Sequence, residues 1–203
     1  MSNFDTDHLI EQIQAGDYRA QEELFTRHRK RLRRMIEVYL DPRVSARVDP
    51  SDVIQDALAK AATRLPQYLQ DRPIAFYPWL RQIVRNELID VHRRHVQAQR
   101  RTVDREQVLG WENNDASAMS LADLLFGGDT SPSQHLLALE SRERVKTALG
   151  TLSAVDRELL LMRCAEQLSV DEIADVLDKS PGAIRSRIRR ALQKLSARLG
   201  VNQ

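Results

Sequence analysis

From Leu168 to Leu199 the chain has almost no freedom to be anything but two helices joined by a short turn. Ser169 and Glu172 have the Ser-x-x-Glu spacing of a capping box, in which each side chain satisfies a backbone N–H left unpaired by the first turn. A short helix from Val170 to Leu177 follows, then Asp178-Lys179-Ser180, and Pro181 opens a longer helix at the one position where its missing N–H loses no bond. This is the layout of a helix-turn-helix. In the longer helix Ile184, Ile188, Ala191, Leu192, Leu195 and Leu199 recur at about 100° per residue, which predicts that all six pack inward.

That packing leaves Arg185, Ser186, Arg189 and Arg190 on the solvent side, behind a start made of Ser180, Gly182 and Ala183. A capped helix N-terminus with small residues can approach the major groove closely, and an arginine fork matches guanine O6 and N7. The formal net charge of the whole chain is only +2, so its distribution carries the argument. Lys179 to Arg198 holds seven basic residues and no acid. A merely solvated helix face normally mixes both signs. A second basic stretch runs from Arg81 to Arg105.

The rest of the chain is also helical in pattern. Leu9, Ile10 and Ile13 start a short helix that Gly16 can end, and Asp17 can cap the next. That second helix would bury Leu24, Phe25, His28, Leu32, Met35, Ile36 and Tyr39. Asp49-Pro50 restarts the chain into a third helix with Val53, Ile54, Ala57, Leu58 and Ala61 as its stripe. Pro66 and Pro73 are read as bracketing a break, and Pro78 as opening a fourth helix with Trp79, Leu80, Ile83, Val84, Leu88 and Val91 inward. Trp79 fits either a core or a base-stacking role.

Periodicity fades between Val96 and Gln134, where Asn113-Asn-Asp-Ala-Ser and Gly127-Gly-Asp-Thr-Ser-Pro-Ser read as a flexible connection interrupted by the apolar run Leu121 to Phe126. Ser153 followed by Asp156 opens another helix before the final pair. The expected fold class is therefore all-α. A four-helix N-terminal domain (1–95) and a C-terminal helix-turn-helix domain (135–203) are joined by a flexible linker (96–134).

Taken together, three segments closely resemble the extracytoplasmic-function group of bacterial sigma factors, the compact members of the housekeeping-type RNA polymerase sigma family that keep regions two and four. Asp49-Pro-Ser-Asp-Val-Ile-Gln-Asp-Ala-Leu-Ala-Lys-Ala is similar to that family's polymerase-gripping helix. Phe76-Tyr-Pro-Trp-Leu-Arg-Gln-Ile-Val-Arg-Asn-Glu-Leu-Ile-Asp-Val-His-Arg-Arg is similar to its promoter-melting and minus-ten-reading helix. The stretch from Leu152 through Ser180-Pro-Gly-Ala-Ile-Arg-Ser-Arg-Ile-Arg-Arg-Ala resembles region four with its minus-thirty-five reader.

The resemblance implies that Asp52, Gln55 and Asp56 contact core RNA polymerase. It implies that Arg85, Asn86, Asp90, Arg93 and Arg94 meet minus-ten DNA. Ser180, Gly182, Ala183, Arg185, Ser186, Arg189 and Arg190 would meet the minus-thirty-five duplex. The implied partners are core polymerase, promoter DNA and an anti-sigma factor of the kind that often holds such proteins. Pro78 and Cys164 depart from the family pattern, and the linker is long, its Asp104, Glu106, Asp115, Asp123 and Asp129 reading as solvated charges or phosphate mimics.

An enzyme is disfavoured: the sequence has no Gly-rich phosphate loop, no His-Glu-x-x-His, no Gly-x-Ser-x-Gly and no paired cysteines. No catalytic residue, metal or cofactor is expected, and His92 with His95 is weak as a metal pair. The single cysteine, Cys164, is read as a packed thiol, and a reducing cytoplasm is the expected compartment. The N-terminus lacks a basic and apolar leader, and no run of about 18 apolar residues suggests membrane insertion. The rival reading is a stand-alone helix-turn-helix regulator that binds duplex DNA without polymerase; the Asp49 to Ala61 segment favours the sigma reading over it.

Overall fold

The computed structural model describes residues 3–40, 44, 47–99 and 135–200, with side chains described for 5–40, 44, 47–94 and 143–200. Eight helices lie among the described residues: α1 (Asn3–Gln14), α2 (Tyr18–Tyr39), α3 (Pro50–Asp71), α4 (Phe76–Gln99), α5 (His135–Gly150), α6 (Ala154–Cys164), α7 (Val170–Leu177) and α8 (Pro181–Leu199). The expected 96–134 connection, including its apolar run and acids, lies outside the described residues apart from the end of α4.

Local side-chain chemistry sets most of these boundaries. Gly16 adopts φ +94°, a conformation that needs no Cβ, and Asp17 then accepts from the Arg19 N–H at 2.9 Å to start α2. Asp49 accepts from Ser51 N–H at 2.7 Å, with Pro50 in the first turn of α3. Ser153 accepts from Asp156 N–H at 3.2 Å. The Ser169–Glu172 box closes in both directions, at 3.0 and 2.8 Å. Ser180 caps α8 and Gly200, at φ +70°, ends it.

Three expectations fail here. Pro66 does not break the chain: α3 runs on to Asp71 because Leu65 and Tyr68, on either side of it, are buried. Proline inside a helix costs about 3 kcal/mol, and burying those two side chains offsets a cost of that order. The break comes at Arg72, whose left-handed backbone (φ 35°) lets its N–H bond Tyr68 O at 2.8 Å. Pro78 does not open α4, which begins at Phe76 because the Phe76 and Tyr77 rings are buried and pull the first turn inward. Leu192, expected inside, is 48% exposed, since only Ile184 and Ala191 of α8 are fully buried and Leu195 and Leu199 only partly so.

Cys164 is likewise exposed at the end of α6 rather than packed, although partial burial still raises its thiol pKa. Trp79 is half-buried and stacks on Tyr68 with ring centroids 4.4 Å apart, so its ring serves the aromatic cluster that closes the α3–α4 turn. Tyr68 completes that turn by donating to Ile74 O at 3.0 Å.

The N-terminal and C-terminal helices share buried side chains. One continuous core joins Leu32, Met35, Val84 and Leu88 of α2 and α4 to Leu159, Met162, Ile173 and Ile184 of the C-terminal helices and to Leu168 between α6 and α7. A second cluster sets Val38 of α2 among Leu149, Leu160, Leu161 and Ala191. No described helix is long and apolar enough to cross a membrane.

His28 lies in this shared core, 4% exposed, between the Phe76 and Tyr77 rings, with the Thr6 hydroxyl 3.4 Å from Nε2. Burial, then the Arg31 and Arg27 charges, lower its pKa from 6.5 to about 4, against a smaller upward pull from Glu172. The unfolded chain therefore takes up this proton first as pH falls. His28 contributes stability that is fully present above pH 6.5 and is lost on the way down to about pH 4. Urea unfolding of the wild type should lose about 2 kcal/mol more between pH 7 and pH 5 than His28→Gln does. Equal losses in both proteins would show that His28 takes no part.

Candidate functional site

The α3 acids are presented by the cap that starts the helix. Asp49 and Pro50 fix the first turn, Val53, Ile54 and Ala57 bury the opposite face, and Asp52, Gln55 and Asp56 are all left exposed. They lie three and four residues apart and so share one surface.

Asp56 also borders an open groove of about 520 Å³ between α3 and α4, together with Ala59, Lys60, Glu87, Asp90, Arg93 and Arg94. The structure thus brings one residue expected to contact polymerase beside three expected to meet DNA. On α4, Asn86, Arg93 and Arg94 are exposed and Arg85 and Asp90 are half-buried. Arg93 Nη2 donates to Asp90 Oδ1 at 3.2 Å, and Arg94 reaches Asp90 O at 3.3 Å.

Glu87, which sequence reasoning passed over, organises the groove. Its side chain is 2% exposed and accepts from both Lys60 and Arg94, the latter at 3.1 Å. Its place one turn from Val84 and Val91, in core register, was the available signal.

The third surface is the start of α8. Ser180 Oγ accepts from Ala183 N–H at 3.3 Å. A Cβ added to Gly182 would meet nothing within 4 Å, so the backbone here is open to an approaching ligand. Ser180, Gly182, Ala183, Arg185, Ser186, Arg189 and Arg190 are all exposed and occupy the first three turns.

The basic residues of α8 divide into two sets. Arg187 Nε donates to Asp156 Oδ1 at 2.7 Å, and Lys194 lies 3.6 Å from Oδ2, so both are tied back to α6. Burial would raise the Asp156 pKa, but the Arg187 and Ser153 hydrogen bonds and the nearby cations hold it below its usual value. Arg185 and Arg189 make no ion pair with the described residues, and Arg190 reaches only Ser186 O, at 3.4 Å. The residues that periodicity turned toward solvent are thus exposed, and Arg187 and Lys194 are the ones held by Asp156.

A fourth group of charges, unread in the sequence, lies between the two halves. Glu166, 1% exposed, receives Arg81 Nε at 2.8 Å, Arg81 Nη2 at 2.9 Å and the Tyr77 hydroxyl at 3.2 Å. Arg31 Nε donates to Glu166 O at 3.0 Å, and its Nη1 and Nη2 reach the Glu172 carboxylate at 3.2–3.3 Å. The Arg31 guanidinium also lies 3.7 Å above the Tyr77 ring. Burial opposes the charge on Arg81, yet the Glu166 carboxylate and Tyr39 hold its pKa above the ordinary guanidinium value. Burial and then Glu166 raise Tyr77, so its hydroxyl stays a donor. Among the described residues no group of acids, histidines and cysteine is gathered to hold a metal.

Comparison with known proteins resolves what this combination belongs to. Residues 24–98 match the model for Sigma-70 region 2, and residues 142–195 match that for Sigma-70, region 4. The RNA polymerase sigma factor CnrH of Cupriavidus metallidurans is 32% identical over 192 residues, covering 94% of this chain and 92% of CnrH. The ECF RNA polymerase sigma-E factor of Haemophilus influenzae is 27% identical over 191 residues, covering 94% of this chain and 93% of that one. The sigma-E factor of Escherichia coli K12 is 28% identical over 191 residues, covering 92% and 90%. Among solved structures, CnrH in complex with the cytosolic domain of CnrY superposes with a TM-score of 0.56 at 25% identity, over 98% of this chain and 99% of that one. With both regions matched in order and a relative of this identity spanning nearly its whole length, the chain belongs to the extracytoplasmic-function group of RNA polymerase sigma factors.

Proposed function

We propose that the chain delivers core RNA polymerase to split promoters, with the labour divided among the three surfaces of α3, α4 and α8. Asp52, Gln55 and Asp56 hold a basic surface of the core enzyme. Asn86 and Asp90, with Arg85, Arg93 and Arg94 beside them, take the separated minus-ten strand, where an unstacked base can enter a pocket and phosphates meet guanidinium groups. Ser180, Gly182, Ala183, Arg185, Ser186, Arg189 and Arg190 take the minus-thirty-five duplex. The observation that carries this reading is the α8 start. It is exposed, capped and basic, and its structural cations are already neutralised by Asp156.

In this reading residues 1–95 and 135–203 act as two units, and 96–134 is the tether that lets both contacts form together. Joining two weak contacts raises overall affinity through effective concentration. The protein works in the cytoplasm and catalyses no reaction of its own. Because CnrH is seen with the cytosolic domain of CnrY, a protein partner that holds this factor until a signal arrives, an anti-sigma factor, is part of the proposal.

Run-off transcription with purified core enzyme on a promoter library tests the reading. Specific starts should appear only when core and this protein are combined. No starts with any bacterial core, with tight occupancy of a duplex site by the chain alone, would favour a stand-alone regulator. Replacing Gln55 and Asp56 by alanine should weaken retention on immobilised core polymerase with the helical circular dichroism unchanged, and wild-type retention would remove α3 from the contact. Arg185→Ala and Arg190→Ala should each cost about 1–3 kcal/mol of discrimination at the upstream element wherever that side chain reads a base. Unaltered promoter selectivity in both variants would reject the α8 assignment.

A further inference from the structure

Helix α2 carries a run of cations that none of the three surfaces above uses. No acid stands between Glu23 and Glu37, whereas Arg27, Arg29, Lys30, Arg31, Arg33 and Arg34 all fall there. The buried stripe of Leu24, Phe25, Leu32, Met35 and Ile36 decides which of these turn outward. Two are engaged within the protein: Arg31 is buried against Glu172, and Arg27 pairs with Asp5. Arg29, Lys30 and Arg33 are exposed and Arg34 is half-buried. At about 100° per residue these four cover one continuous outer face.

Like charges four residues apart on a helix repel one another, and this face holds two such pairs, Arg29 with Arg33 and Lys30 with Arg34. Glu37 relieves the first by accepting from Arg33 at 2.8 Å. Arg29, Lys30 and Arg34 make no ion pair or side-chain hydrogen bond with the described residues. The repulsion among them is relieved by an anion from outside the chain.

Two observations say which anion. The Asp49 carboxylate, the cap of α3, lies within electrostatic reach of Arg33, which sets this face beside the α3 acids proposed to hold a basic part of core polymerase. A cationic face there repels that same partner, so it does not extend that contact. Its position in the helix also matters. Helix α8 offers its N-terminus, which can enter a groove end-on, but the α2 cations lie along the side of a 22-residue helix, with Glu22 and Glu23 before them and Glu37 after. A helix side laid against a duplex meets phosphates, and the flanking acids confine the contact to about two turns. Residues 29–34 cover about 7.5 Å of helix axis. Over that length a duplex presents about four phosphates, a scale that suits three unpaired cations.

We infer that the outer face of α2, centred on Arg29, Lys30 and Arg34, binds the phosphate backbone of promoter duplex without reading its sequence, apart from the residues on α4 and α8 that select the elements. The inference goes beyond the functional reading above and rests on it only for the identity of the DNA. Phosphate contacts of this kind add affinity on every promoter and discriminate among none.

The test replaces Arg29, Lys30 and Arg34 together by glutamine in the full chain, a change that breaks no described bond and keeps good helix formers. Polymerase reconstituted with each protein is titrated onto promoter fragments over a range of KCl concentrations. Loss of three phosphate contacts should make the slope of log affinity against log salt shallower by about 2.7. The gap between wild type and variant should then close by about 40-fold as salt rises from about 50 to about 200 mM. Two promoters with unrelated sequence around their elements should show the same change. Arg29→Lys with Arg34→Lys should keep the wild-type slope, because a point charge suffices for a phosphate.

An unchanged slope in the triple variant would reduce the face to solvated charge and overturn the inference. Weaker retention of that variant on immobilised core polymerase without DNA would make the occupant an acidic protein surface and overturn it equally. A change confined to one promoter, or a lysine variant that behaves like the glutamine one, would mean base reading instead. Run-off transcription with the wild type is the control: no specific starts with any core would overturn the functional reading and this inference together, whereas starts with an unchanged slope would overturn the inference alone.

Discussion

Glu166 makes the contact on which the arrangement of this molecule depends. Its carboxylate receives two nitrogens of Arg81 and the Tyr77 hydroxyl, while its carbonyl receives Arg31, so one residue of the C-terminal half gathers the polar groups of two N-terminal helices. Removing a single partner from a buried pair of this kind costs roughly 3–5 kcal/mol, because a charge is left without water or counter-ion. The same pair contributes little net stability over the separated, hydrated groups. Apolar contact therefore holds the halves together, and the ion pairs fix the geometry in which they meet.

The same logic, on a smaller scale, decides which cations face outward. Asp156 draws Arg187 and Lys194 onto α6 and leaves the Arg185, Arg189 and Arg190 side of α8 to solvent. Glu87 holds Lys60 and Arg94 at the groove between α3 and α4. In each place a buried or nearly buried carboxylate anchors flexible basic side chains. On α8 the anchored cations are turned inward, and the arginines left facing solvent make no ion pair among the described residues.

How much of this was legible in the sequence follows from the range of each interaction. Caps act over two or three residues, so Asp17, Asp49, Ser153, Ser169 and Ser180 were read where the structure has them. The exposed face of α8 was read because helical periodicity is local. Pro66 was misread because the burial of Leu65 and Tyr68 that sustains α3 is a tertiary effect that a local proline rule does not contain. Leu192 was misread because a stripe of about 100° per residue shows where apolar groups point, not whether a neighbouring helix is there to cover them. Arg31 and Arg81 sit in core register beside Leu32 and Leu80, yet their partners are 85 to 141 residues away. A lone charge in an apolar stripe indicates that a partner exists without saying which.

A double-mutant cycle on Arg81→Met and Glu166→Leu, followed by urea unfolding, tests the coupling between the halves most directly. Each single change should be strongly destabilising. The double change should cost less than the sum by about 2 kcal/mol or more, since neither charge is then left buried alone. A coupling energy near zero would contradict this account, because it would mean that the two side chains do not depend on one another in the folded protein.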